Sequence, residues 1–326
     1  MRIAVPLDLS PEAARPPGGV LASFGGPTMG VAWNVTATAP QGFDTAGVQA
    51  QVQGLLNRIV GQMSTWEPDS DISRFNALPA GGWIDMPAAF AHVLARSLHW
   101  AKLSGGAFDP TAGRLVDLWG FGPAGAVGTP PSRPRLDEAL SACGWDRLAV
   151  DGARAYQPGG LSLDFSGIAK GFAVDEVSRA LTVLGLPHHL VEIGGELRGQ
   201  GTKPDGQPWW ADIEAPPEAP LPGGPIRVAL HGLSIATSGD YRRSFTHAGR
   251  RYAHTLDPRT GEPVRHGLRA VTVLDRTCID ADALCTVLGV LGPTDGPVFA
   301  QAHGLAAYFL LEDGEILSPR LAAMMD

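Results

Sequence analysis

Five segments of the chain hold more polar and glycine residues than a hydrophobic core requires, and each permits a definite chemistry. In Asp280-Ala281-Asp282-Ala283-Leu284-Cys285-Thr286, Asp282 and Thr286 stand at i and i+4, so on a helix their oxygens share one face. A carboxylate with a hydroxyl is an oxygen-only donor set, which suits a hard cation such as Mg²⁺ rather than zinc. Such a site needs further oxygens, and a backbone carbonyl of the Ser166–Gly167 turn is the obvious donor. The same stretch also reads as an ordinary helix start, with Asp280 as N-cap and Asp282 favoured by the helix dipole.

Leu163-Asp164-Phe165-Ser166-Gly167-Ile168-Ala169-Lys170-Gly171 leads from a strand through a small-residue turn into a helix. Free amides and the positive dipole end there attract anions, and Lys170 adds charge where a phosphate would lie. The competing reading is a plain strand–helix connection with Ser166 as N-cap. Gly106-Ala107-Phe108-Asp109-Pro110-Thr111-Ala112-Gly113 forms a tight turn that exposes amides, or simply a turn stabilised by the Asp side chain. Val191-Glu192-Ile193-Gly194-Gly195-Glu196 ends a strand in paired glycines, which serve close approach to a ligand or a β-bulge. The last segment joins Ala236-Thr237-Ser238-Gly239-Asp240-Tyr241 to His254-Thr255-Leu256-Asp257-Pro258-Arg259-Thr260-Gly261. His254, before an Asp-Pro-x-Thr-Gly turn and near a hydroxyl-rich loop, is the candidate general base.

These segments must be held by regular elements, and the hydrophobic spacing locates them. Residues 10–28 read as an ordered loop or tail, and Val31 to Thr38 as a strand. Asp44 and Thr45 cap a helix with Val48, Val52, Leu55, Leu56, Ile59 and Met63 at helical spacing. Further helices open after Pro87 (Phe90, Val93, Leu94, Leu98), run from about Lys170 to Leu184 (Val174, Val177, Leu181, Leu184), and cover Asp280 to Val290. Strands are expected at 188–193, 209–214, 226–230 and 269–274, and Pro/Gly-rich surface excursions at 122–134 and 215–225. Helices and strands mix without strict alternation, which predicts an α+β fold with mixed or antiparallel sheets and packed helices.

Composition narrows the functions. Hydrophobic residues at 44% exclude a disordered chain, and a formal net charge of -8 on 326 residues disfavours nucleic acid as a partner. Cys143, Cys278 and Cys285 form neither a CxxC pair nor a Cys/His cluster, so a reducing, cytoplasmic setting is expected. The first eight residues lack the apolar core of a signal peptide, and no apolar stretch is read as approaching the ~18 residues of a membrane span. No Gly-x-Gly-x-x-Gly follows a strand and no Gly-Lys-Ser/Thr loop occurs, so ordinary Rossmann and P-loop sites are absent.

Taken in order, the five segments resemble the FAD:protein FMN transferase (ApbE) family from Gly26-Pro27-Thr28-Met29-Gly30 through Leu291-Gly292. Met63 to Ser70, Ser73-Arg74-Phe75-Asn76 and Leu118-Trp119-Gly120 belong to the same series. The resemblance implies residues 1–25 as an N-terminal extension and 26–326 as one unit of two intertwined lobes, one T-fold-like. It implies FAD as substrate, Mg²⁺ as cofactor, and transfer of FMN to a Ser or Thr hydroxyl of a target protein with release of AMP. By resemblance Met29, Trp66, Ala107, Phe108, Asp109, Asp164, Lys170 and Leu256 fall on FAD-contacting positions, and Gly167 (carbonyl), Asp282 and Thr286 on metal positions, with Cys285 adjacent. His254 matches the family histidine that assists deprotonation of the hydroxyl. Two departures stand out: the family usually has Tyr where this chain has Trp66, and many members are exported lipoproteins whereas a leader is not evident here. The same geometry would also serve an Mg²⁺-dependent FAD diphosphatase, and a non-catalytic FAD-binding protein is the third reading.

Overall fold

The computed structural model describes residues 1–9, 15–216, 221–239 and 243–325, so Asp240 and Tyr241 lie outside the described residues. A short strand β1 (Arg2–Ala4) precedes a long hairpin of β2 (Val20–Thr28) and β3 (Val31–Ala39). Its two-residue turn, Met29-Gly30, has positive φ at both positions (49° and 73°), the I′ geometry that fits the twist of paired antiparallel strands. Helix α1 (Thr45–Met63) starts at Asp44, whose carboxylate accepts from the Ala46 and Gly47 amides, and it buries Val48, Val52, Leu56, Ile59 and Met63 as predicted. Then come α2 (Asp71–Asn76), β4 (Gly82–Asp85), α3 (Ala88–Leu103), α4 (Gly113–Leu118), α5 (Arg133–Ser141), β5 (Ala149–Asp151) and β6 (Arg154–Gln157).

The second half opens with α6 (Ala169–Val183) and continues through β7 (His189–Ile193), β8 (Glu196–Gln200), β9 (Trp209–Asp212), β10 (Ile226–Leu230) and β11 (Leu233–Gly239). Two small hairpins follow, β12 (Ser244–His247) with β13 (Arg250–Ala253), and β14 (Leu256–Asp257) with β15 (Glu262–Pro263). The chain closes with β16 (Leu268–Asp275), α7 (Cys278–Ala302), β17 (Ala306–Leu311), β18 (Gly314–Leu317) and α8 (Pro319–Ala323).

Eight strands form the central sheet in the order β18-β17-β16-β11-β8-β7-β3-β2, every neighbouring pair antiparallel. Alternation along the strands splits burial between two cores. Val271, Val273, Ala307 and Phe309 join the cluster that holds α1, α6 and α7, while Ala270, Leu274, Ala306, Tyr308 and Leu310 join one formed with β1, β10, β9 and α8. A third cluster, including Leu115, Trp119, Phe121, Tyr252 and Leu256, underlies the small hairpins. On β2, an edge strand, Gln49 and Gln53 of α1 donate to the Gly25 and Pro27 carbonyls, which blunts an otherwise open pairing edge.

The α+β class is as expected, and several local expectations are corrected. Residues 20–28 are a strand, not loop: its Gly and Ser content hides the pattern, and the Met29-Gly30 turn sets its pairing. The division expected after residue 25 falls inside that strand. Thr277, not Asp280, is the N-cap of α7, and Ile168, not Ser166, that of α6. The helix expected to end at Val290 continues to Ala302 beyond a break at Gly292 (φ 74°), where Pro293 reopens it. With that extension α7 is long and apolar enough to reach membrane-span length, contrary to the sequence reading. Half of its apolar window is buried, and it packs against α6, β11 and β16 as the core helix.

Candidate active site

The two segments richest in site chemistry meet where α6 and α7 touch. A Cβ on Gly171 would lie 2.2 Å from the Cys278 carbonyl oxygen, so only glycine allows this approach. Across the gap the Gly171 amide donates to Asp282 Oδ2 at 2.9 Å; the carboxylate of one helix thus caps the first turn of the other. Asp282 is buried, and its Oδ1 makes no hydrogen bond to the described residues. A Cβ on Gly167 would sit 2.8 Å from Thr286 Oγ1 and 3.4 Å from the Phe108 ring, so the bare backbone there faces the Thr286 hydroxyl. Asp282, Thr286 and the Gly167 backbone therefore lie together at this contact, and a carboxylate beside a hydroxyl is a donor pair of the kind a hard cation takes. Among the described residues no three His, Cys, Asp or Glu side chains gather to form a softer alternative. The Cys285 sulfur is not part of this donor set: it faces the Ala236 carbonyl at 3.2 Å, and burial pushes its thiol up, keeping it protonated.

Two further carboxylates fix α7, and sequence reasoning gave neither this role. Asp175, one turn after Gly171 on α6, accepts from the Cys278 and Ile279 amides at 3.0 and 2.9 Å and lies 3.5 Å from Arg198 Nη1. Burial raises the pKa of Asp175 while those amides and Arg198 oppose the rise. Asp280 accepts from Arg96, Trp100 and Thr277, tying the same helix start to α3. The i, i+4 spacing of Gly171 and Asp175 was the signal available for the first.

The Gly106–Gly113 turn takes the form stabilised by its Asp. Asp109 Oδ1 accepts from the Thr111 amide and hydroxyl, both at 2.7 Å, and Oδ2 accepts from the Trp145 amide. Burial raises the Asp109 pKa, and those hydrogen bonds work against it. Ala107 and Phe108 are buried, and the Phe108 ring stands beside Gly167. Asp164 accepts from the Ser166 amide at 2.6 Å, shaping the turn that presents Gly167. Asn76, absent from the expected site, brackets Leu163 by donating to its carbonyl and accepting from its amide. A cleft of about 290 Å³ opens here between Thr65, Asn76, Gly113, Asp117, Ser162 and Asp164. Trp66, beside Thr65, is 58% exposed.

Lys170 is not an isolated cation: its Nζ lies 2.5 Å from Glu196 Oε1, which neutralises charge expected to meet a phosphate. The paired glycines before Glu196 form a hairpin turn with positive φ at both (58° and 96°), not a bulge. A Cβ on Gly194 would press on Val31 at 3.0 Å, so this turn abuts the hairpin that carries Met29 at its tip.

His254 follows β13, half-buried with the edge of Phe121 against it. Its Nδ1 lies 3.2 Å from the Arg243 carbonyl, which only accepts, so Nδ1 carries the proton and Nε2 is the basic nitrogen of the neutral ring. The next residue, Thr255, lies 3.9 Å from where a Cβ on Gly289 would stand, less than a turn beyond Thr286 on α7. Leu256 is buried in the third cluster, and the turn after it is held by the Asp257–Arg259 pair and by Trp119 Nε1 donating to Gly261. Arg259 in turn reaches Gly106, so contacts link all five segments.

An antiparallel α+β scaffold thus brings a carboxylate and a hydroxyl together at the contact of two helices, with His254 one residue before Thr255, which lies near Gly289 of α7. The chain belongs to the ApbE family, whose family model matches residues 29–309. It is 35% identical to the FAD:protein FMN transferase of Haemophilus influenzae, over 95% of this chain and 91% of that one. It is 36% identical to the enzyme of the same description from Vibrio cholerae, over 88% and 86%. Among solved structures, the apo form of Pseudomonas stutzeri flavinyl transferase ApbE superposes with a TM-score of 0.86 at 41% identity, covering 94% of this chain and 96% of that one. The Thermotoga maritima ApbE protein gives 0.83 at 28% identity, covering 94% and 99%.

Proposed function

We propose that this chain transfers the FMN half of FAD to a Ser or Thr hydroxyl of a target protein, releasing AMP, with Mg²⁺ as cofactor. The observation that carries this reading is the convergence of Asp282, Thr286 and the Gly167 backbone between α6 and α7. The Gly167 carbonyl, the Asp282 carboxylate and the Thr286 hydroxyl would hold the cation. When bound, it neutralises charge on the diphosphate.

The rest falls to the chain. A hydroxyl oxygen forms the new bond to the FMN phosphorus as the bond to the AMP oxygen breaks, so catalysis rests on position more than on covalent work. His254 Nε2 takes the hydroxyl proton, and its Nδ1–H, held on the Arg243 carbonyl, fixes the tautomer that makes this possible. Phe108 stands beside Gly167, and Trp66 and Met29 would offer apolar surface to the flavin. Asp109 and Asp164 act through the turns they shape.

The test is to incubate the protein with FAD, MgCl₂ and a Thr-containing acceptor domain and weigh the acceptor. A gain of one FMN with stoichiometric AMP is expected. Free FMN with an unmodified acceptor would make the protein a diphosphatase, and intact FAD would make it a binding protein; either overturns the proposal.

A further inference from the structure

Helix α7 breaks where Gly292 precedes Pro293, and the break leaves a backbone group without its helical donor. The Gly289 carbonyl would accept from the amide four residues on, but that residue is Pro293, which has no N–H. His266 supplies a donor instead. Its Nε2 lies 2.8 Å from the Gly289 carbonyl oxygen, which only accepts, so Nε2 carries the proton there. Room for the ring comes from Gly292: a Cβ at that position would stand 2.6 Å from His266 Cδ2, and its φ of 74° already favours glycine.

This hydrogen bond joins the two parts of the proposed chemistry. On the α7 side, Gly289 follows Thr286 by three residues, a rise of about 4.5 Å along the helix. On the other side His266 leads back to His254. The Val264 amide donates to the Thr255 carbonyl at 3.0 Å, Pro263 pairs with Leu256 across the β14–β15 hairpin, and Thr255 directly follows the base. The Thr255 methyl lies 3.9 Å from where a Cβ on Gly289 would stand, so the two segments already touch where His266 ties them. Asp282 and Thr286 sit before the break, on the stretch of α7 that Asp175 and Asp280 anchor.

We infer that His266 is a positioning residue for the transfer step: its hydrogen bond to the Gly289 carbonyl sets the distance between His254 and the Asp282/Thr286 pair. The inference rests on the transferase reading above. A general base must come within hydrogen-bond reach of its proton, and a displacement of about 1 Å can cost ~10²-fold in rate. Loss of the bond therefore lowers turnover and leaves binding of FAD and Mg²⁺ in place, since their proposed partners lie before the break or on other segments.

The experiment uses the full chain with FAD, MgCl₂ and a Thr-containing acceptor domain, and compares wild type with His266→Gln and His266→Met. The glutamine amide nitrogen stands as many bonds from the backbone as the imidazole Nε2 and donates; methionine has similar length and does not. His266→Met should lower kcat ~10–100-fold with acceptor KM, FAD affinity and Mg²⁺ affinity near wild type, and His266→Gln should recover most of that loss. A double-mutant cycle gives the readout that general destabilisation would not move. Added to His254→Ala, His266→Met should cost no further kcat, because the base it positions is gone. An unchanged kcat in His266→Met, a glutamine variant as slow as the methionine one, or losses that add in the cycle overturns the positioning role alone. Loss of FAD binding together with turnover would make His266 a residue of the fold and overturns it as well. A wild-type enzyme that binds FAD yet labels no acceptor overturns the transferase reading and the positioning role together.

Discussion

At the scale of single residues, Asp282 does two jobs with two oxygens. Oδ2 caps α6 through the Gly171 amide, and Oδ1 is the oxygen the proposed cation would take. Asp282→Asn keeps an acceptor for the amide while removing the charge, so it separates structure from ligation. We expect a thermal midpoint within a few degrees of wild type and Mg²⁺ affinity down ~100-fold or more by calorimetry, because a neutral amide is a poor ligand for a hard cation. A wild-type affinity would place the cation elsewhere. His254 poses a different question, since the Arg243 carbonyl fixes its tautomer. His254→Ala should lower FMN transfer by ~10²–10⁴-fold with FAD affinity retained, the range general-base catalysis supplies. Equal loss of binding and transfer would make the residue a structural one.

At the scale of elements, the proposed cation site depends on the seat of α7 against α6. The Asp175 carboxylate holds two amides at the start of α7 and lies beside Arg198, on the side of α6 where Gly171 permits close approach. Asp175→Ala leaves those buried amides and that cation without their acceptor, at a cost of about 2–4 kcal/mol by urea denaturation. Mg²⁺ affinity should fall with it, although Asp175 is not a proposed ligand; a loss of stability with wild-type Mg²⁺ affinity would uncouple the helix seat from the cation site. Much of this was legible in the sequence. Helical spacing gave α1 with its Asp44 cap, and the i, i+4 pair put Asp282 and Thr286 on one face of a helix. The parts that were not legible are set by tertiary contact. A Gly- and Ser-rich strand such as β2 shows no alternation until its hairpin pairs, and Lys170 reads as a free cation until β8 brings Glu196 to it. The Asp175 carboxylate likewise shows its purpose only when α7 arrives.

At the scale of the whole molecule, the middle strands of the central sheet are buried on both faces, and the titratable groups caught between layers make the fold sensitive to acid. His189 on β7 is fully buried against α6, with Nδ1 donating to the Leu186 carbonyl and Nε2 facing the Ser178 hydroxyl. Burial lowers its pKa from 6.5 to about 4, so the fold prefers the neutral ring. The stability this contributes is present above pH 6.5, where the unfolded chain is neutral too, and is lost as pH falls from there through 4. At 1.36 kcal/mol per pKa unit, the full loss is about 3 kcal/mol. Asp109, Asp175 and Asp275 act in the opposite sense, since burial raises each of them and the fold then gains as they bind protons. The histidine contribution is therefore best isolated by difference. Urea denaturation of wild type and His189→Gln at several pH values between 7 and 4 should show wild type losing about 3 kcal/mol more than the variant over that window. The carboxylates cancel in the comparison because both proteins carry them. Parallel curves would mean that His189 takes up its proton without opening the contact between β7 and α6.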